Sequence, residues 1–84
     1  MKIAEYISID PNICHGKPCF KGTRIMVYLV LDMLQNGATF ADIVDAYPDL
    51  TEDHVRAALT FAARAVETGR YDAALMTRDY AISA

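Results

Sequence analysis

Two groups of residues in this chain have types and spacings suited to recognition. The run Lys21-Gly22-Thr23-Arg24 sets two cations and a hydroxyl around a glycine. A guanidinium grips phosphate through two parallel hydrogen bonds, and glycine lets backbone N–H groups approach an anion closely. The run is not a Walker loop, because Gly16 and Gly22 have the wrong spacing and no Gly-Lys-Ser/Thr end follows. An architectural role is favoured over the anionic one: Gly22 permits a bulge or tight bend, and Arg24 pairs with an acid of the second helix or of another copy.

The other group is Arg56, Thr60 and Arg64, which recur at i, i+4 and i+8 along one side of a helix. Ala57 and Ala63 beside them are small enough to admit a close surface. Such a stripe suits a helix in a DNA major groove, where arginine reads guanine and reaches phosphates. It suits a plain solvated face equally well. Glu52 and Asp53 at the start of the same helix would repel phosphate, and they complement the helix dipole instead. With Lys17 added, the candidate DNA contacts are Lys17, Lys21, Thr23, Arg24, Arg56, Thr60 and Arg64.

Other constellations are weaker. Cys14, His15 and Cys19 are three soft ligands, but a structural zinc site takes four, usually with cysteines two residues apart. His54 is the only other histidine. Small buried side chains are the better reading, so no metal is expected. Asp42, Asp45 and Asp49 fit a solvated helix face. No histidine stands with an evident nucleophile and acid partner, so neither catalytic residues nor a cofactor are expected.

The elements that must position these groups follow from length and pattern. A chain of 84 residues forms one domain with a thin core. Yet 54% of the residues are hydrophobic and 23% charged, more apolar material than one small core hides, unless alanine inflates the count. A second chain, most simply a homodimer, is expected. Net charge is −3, which argues against a simple DNA binder. The charge is unevenly placed: no acid lies between Pro11 and Leu31, and no base between Thr39 and Asp53. The first residues lack the apolar segment of a secretory signal, and no window spans a membrane. Two cysteines cannot build a disulfide scaffold, so reduced thiols in a cytoplasm are expected.

Along the chain, Ile3 to Ile9 is β-prone, with Ile3, Ile7 and Ile9 on one side, and Asp10-Pro11-Asn12 stops it. A second extended piece fits Cys19 to Ile25. Val27 to Gln35 is apolar nearly all round and reads as a helix buried on most sides, closed by Asn36-Gly37. Thr39 with Asp42 forms a variant capping box, and Phe40, Ile43, Val44 and Tyr47 form a one-sided stripe ended by Pro48. Thr51 caps a longer helix, with Leu50 stapled on Val55. Its expected buried face is Val55, Ala58, Leu59, Ala62 and Val66, and Gly69 is its C-cap. From Arg70 onward, Tyr71, Leu75, Met76, Tyr80 and Ile82 follow no clean period. They form a short helix or a tail that orders on a partner.

The fold class is therefore mainly α: a homeodomain-like three-helix helix-turn-helix domain behind a short N-terminal β-hairpin. The divisions are residues 1–26 for strands and basic loop, 27–69 for the three helices, and 70–84 for the tail. Helix packing without DNA remains an alternative use of the same unit.

From Pro11 to about Ala63 the chain resembles the family called domain of unknown function 433. The residues that carry the likeness are Gly16-Lys17-Pro18, Lys21-Gly22-Thr23-Arg24-Ile25, Val27, Leu34, Gly37, Ile43, Tyr47-Pro48, Leu50-Thr51 and Val55 to Leu59. The resemblance implies an antitoxin of VapB type, partnering a PIN-like toxin encoded beside it and binding its own promoter. Under that reading the tail residues Tyr71, Leu75, Met76 and Tyr80 engage the toxin. A protein-interaction module that never touches DNA is the alternative.

Overall fold

The computed structural model describes residues 1–69. A 3-10 turn over Ile3–Glu5 leads into β1 (Ile7–Ser8), and a second over Cys14–Gly16 leads to β2 (Cys19–Phe20). Three helices follow: α1 (Val27–Gln35), α2 (Phe40–Ala46) and α3 (Glu52–Thr68). This is the expected mainly helical architecture behind a short antiparallel hairpin.

The helix boundaries obey the cap chemistry. Gly37, just past α1, sits at φ +94°, a left-handed conformation that only glycine adopts without strain. At the start of α2 the Asp42 N–H donates to Thr39 Oγ1 at 3.1 Å, and the Thr39 N–H donates back to Asp42 Oδ2 at 2.9 Å. That reciprocal pair satisfies two N–H groups which the first helical turn cannot use. Before α3 the Thr51 N–H donates to His54 Nδ1 at 3.0 Å. Gly69 ends α3 in the left-handed region.

The strands are shorter than the pattern predicts, two residues each, with Ile7 opposite Phe20 and Ser8 opposite Cys19. Ile3–Glu5 winds into a turn instead, with the Tyr6 N–H on the Ile3 carbonyl at 2.8 Å, and this still buries Ile3. At the other strand the Thr23 N–H bonds the Phe20 carbonyl, and the Phe20 N–H bonds the Ile25 carbonyl. Those bonds close Lys21–Arg24 into a loop and end β2.

The cysteines correct the expectation of free thiols, because Cys14 and Cys19 are joined as a disulfide. Spacing alone gives no sign of it. The chain reverses between them through Cys14, His15 and Gly16, all at positive φ, and this brings the two sulfurs together. The same bond removes both sulfurs from any ligand set with His15.

The centre of the core is α3, which packs on α1, α2, β1 and the first turn. Its buried residues are Val55, Ala57, Ala58, Phe61 and Ala65. Here the expected face is wrong in phase. Leu59 and Val66 are exposed, at 42% and 79%. The true face is turned by about one residue, or about 100°, because Phe61 offers more apolar area than Leu59 and takes the interior. Helix α1 also departs from expectation: only Val27 and Val30 are buried, and Tyr28 is 57% exposed. Among the described residues, nothing covers the Tyr28 flank of this helix.

Candidate functional site

The loop Lys21–Arg24 is built around Thr23. Its hydroxyl donates to the Phe20 carbonyl at 2.8 Å and accepts from the Ile25 N–H at 3.0 Å. Both roles are used within the loop, so Thr23 is a structural fastener here. Gly22 holds φ +78° with nothing within 4 Å of a built Cβ, so its backbone conformation, rather than crowding, calls for glycine. Lys21 Nζ lies 3.5 Å from the Ala4 carbonyl. Arg24 is exposed, and among the described residues no carboxylate forms an ion pair with it. The acid expected to pair with Arg24 from the second helix is not found there. A hollow of about 370 Å³ lies beside it, lined by Ser8, Ile13, Gly22, Thr23 and Arg24.

The stripe on α3 is drawn into local contacts. Arg56 lies 3.5 Å from a Glu52 carboxylate oxygen and 3.3 Å from one of Asp53. Its guanidinium also stands 5.6 Å from the centre of the Phe40 ring. Exposed pairs of this kind contribute only a few tenths of a kcal/mol, about 0.3–0.5. They nevertheless set two negative charges beside the cation that would meet phosphate. The Thr60 hydroxyl donates to the Arg56 carbonyl at 2.9 Å, and Arg64 Nη2 donates to the Met1 carbonyl at 3.4 Å. Thr60 and Arg64 are half-buried. The acids at the helix start, which sequence reading assigns to the dipole, also act on Arg56.

At Asp42 the Thr39 backbone N–H, and after it the Thr39 hydroxyl, hold the carboxyl below the usual carboxylate range. His54 works structurally: its ring meets Tyr6 edge-on at 5.1 Å and Phe20 at 5.8 Å. These contacts tie the start of α3 to the hairpin, and so fix the cationic loop relative to the helices.

A different surface was missed in the sequence. Between α1 and α3 lies an apolar groove of about 400 Å³, lined by Val27, Tyr28, Leu31, Phe61, Ala62, Ala65 and Val66, with Lys17 and Pro18 at its border. Two signals point to it. Helix α1 is apolar nearly all round, and Val66 belongs to a stripe that looks like core. Both patterns describe apolar residues in excess of those that the described core buries. The tail residues Tyr71, Leu75, Met76 and Tyr80 lie outside the described residues.

Among the described residues no helix is long and apolar enough to cross a membrane, and no group of three or more His, Cys, Asp or Glu could hold a metal. The model of a family described as "Protein of unknown function (DUF433)" matches residues 7–62. The chain is also similar to the crystal structure of a DUF433 member protein from Anabaena variabilis. The two share 30% identity at a TM-score of 0.70, over 76% of this chain and 63% of that one. This chain thus spans less than two thirds of that relative's length. No curated protein matches it.

Proposed function

The chain belongs to the DUF433 family, and from that premise we propose that it is a non-catalytic binding protein of antitoxin type, holding a PIN-like toxin and acting as a homodimer. The observation that carries this reading is the apolar surface left open on two helices, with Tyr28 on α1 and Leu59 and Val66 on α3 all exposed. Monomeric proteins rarely leave such residues uncovered together, and a protein partner buries them favourably at about 25 cal/mol per Å². The toxin itself is named by family resemblance.

Promoter binding is the second reading. Supporting it is the basic loop, where Arg24 is exposed and has no acid paired with it among the described residues. Against it stand the acids on Arg56 and the net charge of −3. DNA contact by this protein therefore rests more on Lys21 and Arg24 than on the α3 stripe.

The test is co-purification from cells carrying the native operon, with the eluate assayed for a shift of the upstream promoter at two salt concentrations. A stable complex with the adjacent gene product supports the proposal, and a salt-sensitive shift adds promoter binding. Failure to recover the adjacent product in repeated captures would overturn the antitoxin reading.

A further inference from the structure

The hollow beside Arg24 gathers hydrogen-bond donors that the fold leaves unused. Its lining is Ser8, Ile13, Gly22, Thr23 and Arg24, and its volume of about 370 Å³ suits a small ligand. The turn Phe20–Thr23 is closed by the Thr23 N–H, while the Lys21 N–H goes to the Tyr6 carbonyl and the Ile25 N–H to the Thr23 hydroxyl. Among the described residues the N–H groups of Gly22 and Arg24 meet no acceptor, and neither does the Ser8 hydroxyl. The Arg24 guanidinium is in no ion pair among them either. The arginines of α3 differ, since Arg56 is held by Glu52 and Asp53 and Arg64 reaches the Met1 carbonyl.

Charge around the hollow is one-sided. No acid lines it, and none occurs between Pro11 and Leu31. Asp10, two residues from Ser8, has a carboxylate oxygen on the Asn12 N–H at 2.8 Å. The walls are also tied down. The Ile13 carbonyl accepts from the Gly16 N–H at 3.0 Å, and Cys14 Sγ, joined to Cys19, lies 3.5 Å from the Arg24 carbonyl. Donors held in place before a ligand arrives lose little freedom when it binds. Backbone N–H groups of turns form concavities for anions, and a guanidinium adds a two-point grip on phosphoryl oxygens.

We propose that this hollow is a binding site for a phosphate monoester. The Arg24 guanidinium and the N–H groups of Gly22 and Arg24 donate to its terminal oxygens, and the Ser8 hydroxyl supplies a further bond. A carboxylate or a phosphodiester has only two free oxygens for these donors, whereas a monoester has three. The chain's net charge of −3 also opposes a long polyanion more than one small anion. The site goes beyond the antitoxin and promoter readings, because it asks for neither a protein nor a duplex.

The test is an amide correlation spectrum of the isotope-labelled full chain, titrated at constant ionic strength. The probes are inorganic phosphate, glycerol phosphate, acetate and a mixed-sequence DNA duplex. Phosphate and the monoester should shift the amides of Gly22 and Arg24 saturably, and acetate should leave them in place. Arg24→Gln should weaken monoester binding by about tenfold or more, as loss of a charge-assisted bond does. Arg24→Lys keeps the charge without the fork and should recover only part of the affinity. Ser8→Ala should weaken it about two- to fivefold. Arg24 is exposed, so its variants should keep the fold, and circular dichroism checks each one. Amides that stay put in phosphate, or shift equally in Arg24→Gln, overturn the site. Tighter binding of the duplex at the same amides overturns the monoester and gives the hollow to a phosphodiester backbone. A promoter shift without the phosphate signal overturns this site and leaves the promoter reading standing.

Discussion

At the scale of single residues, Thr23 shows how a side chain suited to binding can be used by the fold. Its hydroxyl gives one hydrogen bond and takes another inside the loop, so Thr23→Ala should lower stability by about 1–2 kcal/mol. Thr23→Ser should keep most of it. The denaturation midpoints of the two variants decide, and equal midpoints would show that the loop does not need the hydroxyl. Asp42 gives a prediction in pH. Its carboxyl is held below the usual range by Thr39, so it takes up its proton at lower pH in the folded chain than in the unfolded one. The stabilisation is fully present above the unfolded value of about 3.9 and fades as pH falls through the folded value. The melting-temperature gap between wild type and Asp42→Asn should therefore be full at neutral pH and close in strong acid. A gap that widens on acidification would contradict this sign.

At the scale of elements, α3 tests which side chains form the core. Phe61→Ala removes a ring that is 5% exposed and should cost about 3–5 kcal/mol, enough to unfold much of so small a domain. Leu59→Ala should change stability by less than about 0.5 kcal/mol. Melting curves of the two variants check it, and the reverse order would restore the face read from sequence. Helix ends were legible because caps are local: Gly37, Thr39, Thr51 and Gly69 each act within one turn. Helix phase was not, because α3 carries two adjacent apolar flanks and only tertiary packing chooses between them. The disulfide was hidden for a related reason, since it depends on positive φ at Cys14 and His15, conformations that neither residue type announces.

At the scale of the whole molecule, composition raised the expectation of more apolar surface than one small core hides. Among the described residues the large hydrophobics left exposed are Met1, Tyr28, Leu59 and Val66, whereas the candidate DNA stripe was legible as a pattern but not in its pairing with Glu52 and Asp53. An apolar protein interface and an ionic nucleic-acid interface differ in two measurable ways. The first gives a negative heat-capacity change with little dependence on salt, and the second loses affinity steeply as salt rises. The most direct measurement is a calorimetric titration of the neighbouring gene product into the purified chain, at two temperatures and two salt concentrations. Saturable binding is expected, with a negative heat-capacity change and an affinity that barely moves with salt. No binding of that protein, beside salt-sensitive binding of the promoter, would contradict the protein-binding function and make DNA the principal ligand.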